Sequence, residues 1–333
     1  MRILAIVKLY ACKNKAGGEM YLHHFLKHLK SLGHQISVLI PYSEKIELYE
    51  FEGIYVSETD EKNWLDYIEN SDLVITQLER AEETIKECII RDHKCMYITH
   101  GPITPKYIKY VNHPKIIKIF NSNYLKNHYN REWNGIQGDY FILYPYTPDY
   151  SEYATTDLKY RQFITFVNPC PFKGSDLFYE LVERMPDKKF MVVEGGYYPE
   201  LQRLERHYPN LVIQKNTQDM VNDVYLKSRI VLQPSRVESY GMVASEACSM
   251  GIPTIVNKLC EGLKENMGRI NLYGTTHEKL TEGDIQSYID CIRSLDNQHT
   301  YILWSNHELD HSENRRNEIE NQMTNIINYI NNI

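Results

Sequence analysis

The stretch of sequence most informative about the fold runs from residue 233 to residue 253 and reads QPSRVESYGMVASEACSMGIP. It predicts the end of a strand, a glycine-containing loop and a helix of small side chains. Gly241 would allow backbone amides at the helix N-terminus to approach an anion such as phosphate closely. Glu238 precedes this helix and Glu246 lies within it, so both carboxylates could accept hydrogen bonds from hydroxyl groups of one ligand. The alternative for this pair is two solvated surface acids.

Short apolar runs alternate with helical patterns along the first half of the chain. The predicted strands are residues 3–9, 36–40, 73–76, 96–99, 117–121 and 140–143. Between the first two, leucine and aromatic residues recur at helical spacing until Gly33, which is expected to end that helix. Repeated strand, helix and strand units of this kind are typical of a parallel sheet in an α/β protein.

A second series of the same kind predicts strands at residues 163–167, 190–193, 211–213, 230–233 and 254–256. Between the two series, from residue 145 to about 160, the pattern lapses into a stretch rich in Pro, Tyr, Ser, Thr and Asp, which predicts a linker. We therefore predict a Rossmann-like domain at residues 1–148, a linker at 149–161, a second Rossmann-like domain at 162–312 and a final helix at 313–333. The final helix carries one apolar stripe: Ile319, Met323, Ile326, Ile327 and Ile330.

Composition is consistent with this division. A chain of 333 residues exceeds the usual size of one core, and 42% hydrophobic with 24% charged residues is typical of globular proteins. The net charge of -7 argues against a broad nucleic-acid surface. Seven cysteines without a C-x-x-C pair argue against a disulfide scaffold or a zinc site. Since no long apolar run occurs and Lys8 interrupts the first one, we expect a cytoplasmic protein, with a peripheral membrane position left open.

The stretch from residue 233 resembles the donor-site signature of the retaining family 4 glycosyltransferases, with Pro-Ser, Glu238, seven further residues, Glu246 and then Gly-Ile-Pro. Three other stretches resemble elements of that family: FVNPCPFKGSD at 166–176, VEGG at 193–196, and AGGE at 16–19 followed by a helix and LGHQISVL at 32–39. The resemblance covers nearly the whole chain. It implies the GT-B fold, in which two Rossmann-like domains face a central cleft and the last helix crosses back to the first domain.

The resemblance also implies a role for individual residues. Lys173 would contact the donor diphosphate, Glu238 the hydroxyls of the transferred sugar, and Glu246 the ribose. The alternative for Lys173 taken alone is a solvated lysine at a helix start. Backbone contacts to the donor would come from Gly241, Met242 and Val243, and closure of the first domain onto the diphosphate would depend on Gly17 and Gly18.

One position departs from the family pattern. Members often carry an arginine five residues before the lysine as a second cation for the phosphates, whereas this chain has Asn168. Either Asn168 supplies a neutral hydrogen bond or another cation, such as Arg236, compensates.

Two further strand ends carry polar residues. His100 follows the predicted strand 96–99 and precedes Gly101, so its side chain is expected at the carboxyl edge of the sheet. It resembles the family's histidine near the transferred sugar, with a structural histidine as the equal alternative. The stretch NSNY at residues 121–124 could meet the acceptor, and a helix cap by Ser122 is the stronger alternative.

The resemblance implies transfer of a hexose-type sugar from a UDP- or GDP-sugar, with retention of configuration. Since the sequence has no Asp-x-Asp pair, we assign no metal and predict metal independence. The acceptor stays open among glycan, lipid, small molecule, protein and modified DNA, because no strong nucleic-acid or membrane signature occurs. Two alternatives remain: a sugar-nucleotide 2-epimerase of the same fold, which needs no acceptor, and a catalytically silent sugar-nucleotide-binding protein.

Overall fold

The computed structural model describes residues 1–11, 13, 16–60, 64–102, 108–155, 157–195, 204, 207–267 and 274–332. The chain forms two compact units. The N-terminal unit consists of Met1–Tyr146 and Ile319–Ile333, and the C-terminal unit consists of Thr147–Glu318. Each unit has its own largely parallel sheet with helical connections, which confirms the predicted pair of Rossmann-like domains. Gly196, in the predicted VEGG element, lies outside the described residues.

The described strands of the N-terminal unit lie in the order β3-β4-β2-β1-β5-β6-β7-β8. They are β1 (Arg2–Ile6), β2 (Gln35–Pro41), β3 (Glu47–Phe51), β4 (Ile54–Thr59), β5 (Leu73–Gln77), β6 (Cys95–Thr99), β7 (Ile116–Phe120) and β8 (Tyr140–Ile142). The described helices are α1 (Gly17–Ser31), α2 (Leu65–Glu69), α3 (Ala81–Ile90), α4 (Ile108–Val111) and α5 (Asn123–Glu132).

The strands β5, β6 and β7 lie side by side in the interior of this sheet and are buried at every position. Their neighbours pair in parallel. Parallel strands covered by helices on both faces require near-continuous apolar runs, which is why the sequence pattern identified them. The helix predicted to end at Gly33 is α1, and Gly33 has the left-handed φ of +89° expected just beyond a helix end.

The hairpin of β3 and β4 is absent from the predicted strands. Its two strands pair antiparallel around Glu52 and Gly53, whose φ values of +46° and +82° suit a two-residue turn between strands. The strand β3 lies at the sheet edge and carries two glutamates, Glu47 and Glu50, among its five residues. Charged residues are typical of edge strands, because they discourage pairing with another chain, and here they obscure the apolar run.

The described strands of the C-terminal unit are all parallel and lie in the order β11-β10-β9-β12-β13. They are β9 (Phe163–Val167), β10 (Lys189–Val193), β11 (Leu211–Gln214), β12 (Ser228–Gln233) and β13 (Thr254–Val256). The helices are α6 (Ser175–Arg184), α7 (Met220–Asp223), α8 (Met242–Ser249), α9 (Glu261–Met267), α10 (Glu282–Ser294) and α11 (Gln298–Asn332). The strand order reverses between β9 and β12, and in such sheets ligands bind at the carboxyl ends of the strands beside the reversal.

The last helix, α11, begins at Gln298, earlier than the predicted start at residue 313. The earlier start has a physical reason, because Tyr301 and Trp304 already pack in the core of the C-terminal unit. Further along, the apolar stripe of the helix belongs to the N-terminal unit, where Ile326 and Ile330 are fully buried. The expected crossing of this helix back to the first domain is therefore confirmed.

Within the described part of the chain, no helix is both long enough and apolar enough to span a bilayer.

Candidate functional site

Lys173 lies in the loop that follows β9, at the carboxyl edge of the C-terminal sheet. The loop makes one 3-10 turn over Pro171–Lys173 and then passes through Gly174, whose φ is +87°. A Cβ atom on Gly174 would lie 2.7 Å from the carbonyl oxygen of Pro234. Both the positive φ and this close approach require glycine at position 174. The loop of Lys173 therefore packs directly on the loop that follows β12.

Lys173 and Glu238 form an ion pair between these two loops. The lysine Nζ donates a hydrogen bond to Oε1 of the glutamate, and the two side chains are 14% and 12% exposed. Because both charges are largely removed from water, removing either one would leave the other poorly compensated. The structure thus brings together Lys173 and Glu238, which are 65 positions apart in the sequence.

The same oxygen of Glu238 has two further donors. Nε2 of Gln233 lies 2.8 Å from Oε1, and Oγ of Ser235 lies 2.9 Å from it. None of the described residues donates a hydrogen bond to the second oxygen, Oε2. One oxygen of the carboxylate is therefore fixed by three donors while the other keeps its hydrogen-bonding capacity.

Gln233, the last residue of β12, connects this carboxylate to the start of α8. Its Oε1 accepts a hydrogen bond from the backbone N–H of Ala244 at 2.9 Å, and its side chain is buried. A backbone N–H can only donate, so the amide oxygen must face Ala244 and the NH₂ group must face Glu238. The orientation of the side-chain amide is fixed by its partners.

The N-terminus of α8 begins at Gly241, which has a φ of +96° and caps the helix without a side-chain bond. A Cβ atom there would lie 2.4 Å from Cδ2 of Leu263. Among the described residues, nothing accepts a hydrogen bond from the backbone N–H of Met242 or Val243. These are the first two amides of the helix, which have no partner within a helix and suit an anionic oxygen.

Glu246 lies one turn further along α8 and is half-buried. The hydroxyl of Tyr225, which is fully buried, donates a hydrogen bond to Oε2 of Glu246. Burial raises the pKa of Glu246 above its usual range, and the bond from Tyr225 opposes that shift. The same environment raises the pKa of Tyr225, so its hydroxyl stays protonated and remains a donor.

Asn168 lies directly after β9 with a φ of +59°, in the left-handed region that asparagine tolerates better than most residues. Its Oδ1 accepts a hydrogen bond from Sγ of Cys170 at 3.0 Å. A Cβ atom on Gly195 would lie 2.5 Å from Cγ of Asn168, so the asparagine packs against the backbone that follows β10.

Arg236, the other cation considered for the phosphates, is held by protein groups. Its guanidinium donates two bonds to the carboxylate of Asp176, at 3.0 and 2.7 Å. It also donates to the carbonyl oxygens of Pro171 at 2.7 Å and His277 at 2.8 Å. These bonds use four of the five N–H groups of the guanidinium, which ties three segments of the C-terminal unit together.

The N-terminal unit brings three residues together at the carboxyl edge of its own sheet. Nε2 of His100 lies 2.7 Å from Oε1 of Gln77, and Nε2 of Gln77 donates to the carbonyl oxygen of Gly18 at 3.2 Å. A Cβ atom on Gly18 would lie 3.6 Å from the His100 ring. Gly17 is the first residue of α1 and is exposed. Burial lowers the pKa of His100 to about 4, so the ring is neutral at neutral pH and donates from Nε2.

Ser122 caps α5, because its Oγ accepts a hydrogen bond from the backbone N–H of Leu125 at 3.1 Å. The alternative of a helix cap is therefore the one observed. Beside it, Nδ2 of Asn123 donates to the hydroxyl of Tyr144 at 3.0 Å.

Several polar residues of the site were not predicted: Gln233, Ser235, Tyr225 and Gln77. A signal for Gln233 and Gln77 exists in the sequence, because each is a polar residue that ends an otherwise apolar strand. No group of His, Cys, Asp or Glu side chains in the described part of the chain is arranged to hold a metal ion.

Comparison with known proteins agrees with this geometry. Residues 161–297 match the family described as glycosyl transferases group 1. No functionally curated protein is significantly similar to the chain in sequence.

Several solved structures share the fold over the full length. The Anabaena protein Alr3699/HepE, solved in complex with UDP and glucose, has a TM-score of 0.77 at 14% identity, covering 100% of both chains. Sucrose-phosphate synthase from Thermosynechococcus elongatus has a TM-score of 0.73 at 11% identity, covering 99% of both chains. A glycosyltransferase from Rickettsia africae has a TM-score of 0.72 at 15% identity, covering 98% of this chain and 97% of that one.

At these identities the structural likeness establishes the fold, while the family match lies within the C-terminal unit and includes Lys173, Glu238 and Glu246. This chain therefore has the GT-B fold, and its residues 161–297 match the family described as glycosyl transferases group 1.

Proposed function

We propose that this protein transfers a hexose-type sugar from a nucleotide diphosphate sugar to an acceptor, with retention of configuration and without a metal ion. The observation that carries the proposal is the ion pair of Lys173 and Glu238 beside the N-terminus of α8. Three groups thus lie at the carboxyl edge of one nucleotide-binding-like sheet: the cation of Lys173, the carboxylate of Glu238, and backbone N–H groups that can donate hydrogen bonds to an anion.

The donor diphosphate would lie against Lys173 and the first amides of α8. The negative charge that develops on the leaving diphosphate would be stabilised by the ammonium group and by the N–H groups of Met242 and Val243. Groups held in place before the reaction need no reorganisation when charge develops, so they stabilise the transition state efficiently. A single cation with helix-end amides can take over the charge role that a metal ion has in other enzymes.

The sugar and the ribose would meet different carboxylates. Glu238 offers Oε2 to hydroxyl groups of the transferred sugar, since its Oε1 is already bonded by Lys173, Gln233 and Ser235. Glu246, held by Tyr225, would accept hydrogen bonds from the ribose hydroxyls. In the N-terminal unit, neutral His100, whose Nε2–H is bonded to Gln77, would offer Nδ1 as a hydrogen-bond acceptor near the transferred sugar, and Gly18 would leave room for the diphosphate.

A UDP-linked hexose is the first donor to test, because UDP and glucose are bound in the Anabaena structure of the same fold. The test is a thermal-shift and calorimetric screen with UDP, GDP, ADP, CMP and their sugars. A nucleotide diphosphate that binds only the folded protein at about 100 times its Kd should add about 2.7 kcal/mol of stability. If no nucleotide raises the melting temperature at millimolar concentration, the protein has no donor site.

A further inference from the structure

We infer that Gln233 is a positioning residue, which aims Oε2 of Glu238 at the transferred sugar and fixes the carboxylate to the helix end that receives the diphosphate. The inference rests on the proposed function. It concerns a residue outside the family motif, since Gln233 precedes the Pro-Ser pair of that motif.

The first argument is that the side chain of Gln233 makes both of its bonds inside the candidate site. Nε2 donates to Glu238 at 2.8 Å, and Oε1 accepts from the N–H of Ala244 at 2.9 Å. Only 6% of the residue is exposed, so neither bond has a ready replacement in water. A buried amide with two fixed partners holds them at a fixed separation.

The second argument is that Gln233 also lies against the glycine that opens α8. A Cβ atom on Gly241 would lie 3.1 Å from Nε2 and 3.4 Å from Oε1 of Gln233. The amide therefore fills the space beneath the backbone from which the first helix amides project. The helix start is also held by Nδ2 of Asn266, which donates to the carbonyl oxygen of Gly241 at 3.0 Å, so displacement of Gln233 should move the carboxylate more than the first helix amides.

The third argument concerns which carboxylate oxygen is used. Gln233, Ser235 and Lys173 all bond Oε1. A bound diphosphate attracts the cation of Lys173 and can weaken its bond to Glu238. The two neutral donors are not attracted in this way and keep their bonds. Gln233 and Ser235 would then keep the carboxylate in the same orientation throughout donor binding.

Two substitutions of Gln233 distinguish the contributions of its bond to Glu238 and its bond to Ala244. Gln233→Glu keeps the length and the acceptor for Ala244 but loses the donor toward Glu238. Gln233→Met keeps the approximate volume and loses both bonds. Asn210→Leu is the matched control, because Asn210 is a half-buried amide of the same unit that donates to the carbonyl oxygens of Val182 and Met185, at 3.0 and 3.2 Å.

The measurement is the Kd of UDP and of UDP-glucose for each protein by calorimetry, together with the rate of UDP-glucose hydrolysis and the melting temperature. Both Gln233 variants should weaken UDP-glucose binding by about five-fold or more. In Gln233→Met, which adds no charge beside Lys173, the Kd of UDP should change by less than about two-fold. Hydrolysis should slow by more than binding weakens. The control should lower the melting temperature and leave the ratio of the two Kd values unchanged.

Dependence on pH gives a second readout that a purely structural role would not produce. In Gln233→Glu the new carboxyl group faces Glu238, with Lys173 and the Cys260 thiol as the other titratable groups near that carboxylate. Two adjacent carboxyl groups tend to share one proton, and the protonated one can donate as Nε2 does. When the pH is lowered from about 8 to about 5.5, the UDP-glucose affinity of Gln233→Glu should rise toward that of the original protein. The affinity of Gln233→Met, measured relative to the original protein, should not change.

Three outcomes would overturn the inference. If Gln233→Met weakened the binding of UDP and of UDP-glucose equally, Gln233 would be a structural residue of the helix start. Unchanged affinity and hydrolysis in both folded variants would show that Glu238 needs no such support. Absence of UDP and UDP-glucose binding to the original protein, with GDP and GDP-mannose also inactive, would remove the proposed function itself, and this result is recognised before any variant is measured.

Discussion

The Nζ atom of Lys173 bonds Oε1 of Glu238 although 65 positions of sequence separate the two residues. The pairing means that the cation proposed for the diphosphate is held by the acid proposed for the sugar. A donor that brings phosphate oxygens to Lys173 would therefore change the environment of Glu238 at the same moment. Binding of the two ends of the donor should be coupled through this one contact.

The first prediction concerns Lys173→Met. Loss of the cation should weaken UDP or GDP binding by about ten-fold to a hundred-fold, because a charged hydrogen bond contributes about 1.5 to 3 kcal/mol. It should also destabilise the fold by about 1 to 3 kcal/mol, since the mostly buried Glu238 loses its charged partner and keeps only the donors Gln233 and Ser235. The control is Lys188→Met, because Lys188 is 19% exposed and pairs with Asp296 instead. Equal nucleotide affinity in the two variants would contradict a phosphate role for Lys173.

The second prediction concerns Arg236→Met. Its bonds to Asp176, Pro171 and His277 favour a structural role, so we expect a loss of about 1 to 3 kcal/mol in the free energy of unfolding. Nucleotide affinity should stay within about two-fold of the original. A ten-fold loss of affinity in a variant that melts normally would show instead that Arg236 replaces the arginine missing at Asn168.

The third prediction separates the two acids. Glu238→Gln should depress turnover more than it weakens binding of the sugar-free diphosphate, because that ligand has no sugar for this side chain. Glu246→Gln should weaken binding of the same sugar-free diphosphate by roughly ten-fold, since a hydrogen bond from a ribose hydroxyl to a carboxylate contributes about 1.5 to 3 kcal/mol. If the Glu238 variant loses diphosphate affinity as badly as the Glu246 variant, the assigned roles do not hold.

The fourth prediction concerns pH and His100. Its pKa of about 4 in the folded protein lies below the usual value of 6.5, so the unfolded chain binds more protons between these two pH values. Stability should therefore fall as the pH is lowered from about 6.5 to about 4, and be fully present above that window. The slope should be smaller in His100→Gln and unchanged in His28→Gln, because His28 is exposed on α1. His24, whose pKa is also lowered to about 4, accounts for part of the slope that remains. Chemical denaturation at several pH values measures these slopes.

The fifth prediction is that turnover survives chelation. With the donor found in the screen, EDTA should leave the rate unchanged, because Lys173 and the amides of α8 supply the positive charge at the diphosphate. A rate that falls with EDTA and returns with Mn²⁺ or Mg²⁺ would show that a metal ion takes part.

Much of the fold could be predicted from local pattern. The strands β9 and β13 have the bounds that the apolar runs predicted, and the neighbouring strands differ by one or two residues at their ends. Buried parallel strands must be apolar at nearly every position, so their sequence reveals them. The hairpin of β3 and β4 was not predicted, because an exposed edge strand that carries Glu47 and Glu50 does not follow that rule.

The site shows the same division between local and distant information. Glu238, Gly241 and Glu246 lie within one short stretch, so a loop before a helix places them together whatever the rest of the chain does. Gln233, five positions before Glu238, belongs to the same stretch. Lys173 reaches these residues only when β9 and β12 pair side by side and the loops after them pack, and Tyr225 reaches Glu246 only when α8 packs against the residues that precede β12. The engagement of Arg236 by Asp176 is a contact of the same distant kind, 60 positions apart.

The sequence by itself determined the class of fold, the family motif and the residues of the loop before α8, because each depends on neighbours within a few positions. Only the tertiary structure decided that Oε1 of Glu238 is the bonded oxygen and that Arg236 is engaged by Asp176. It also decided that the buried amide of Gln233 connects Glu238 to α8. These are properties of hydrogen bonds, which require about 3 Å and a defined angle between two groups in space. No periodicity along the sequence encodes such a distance.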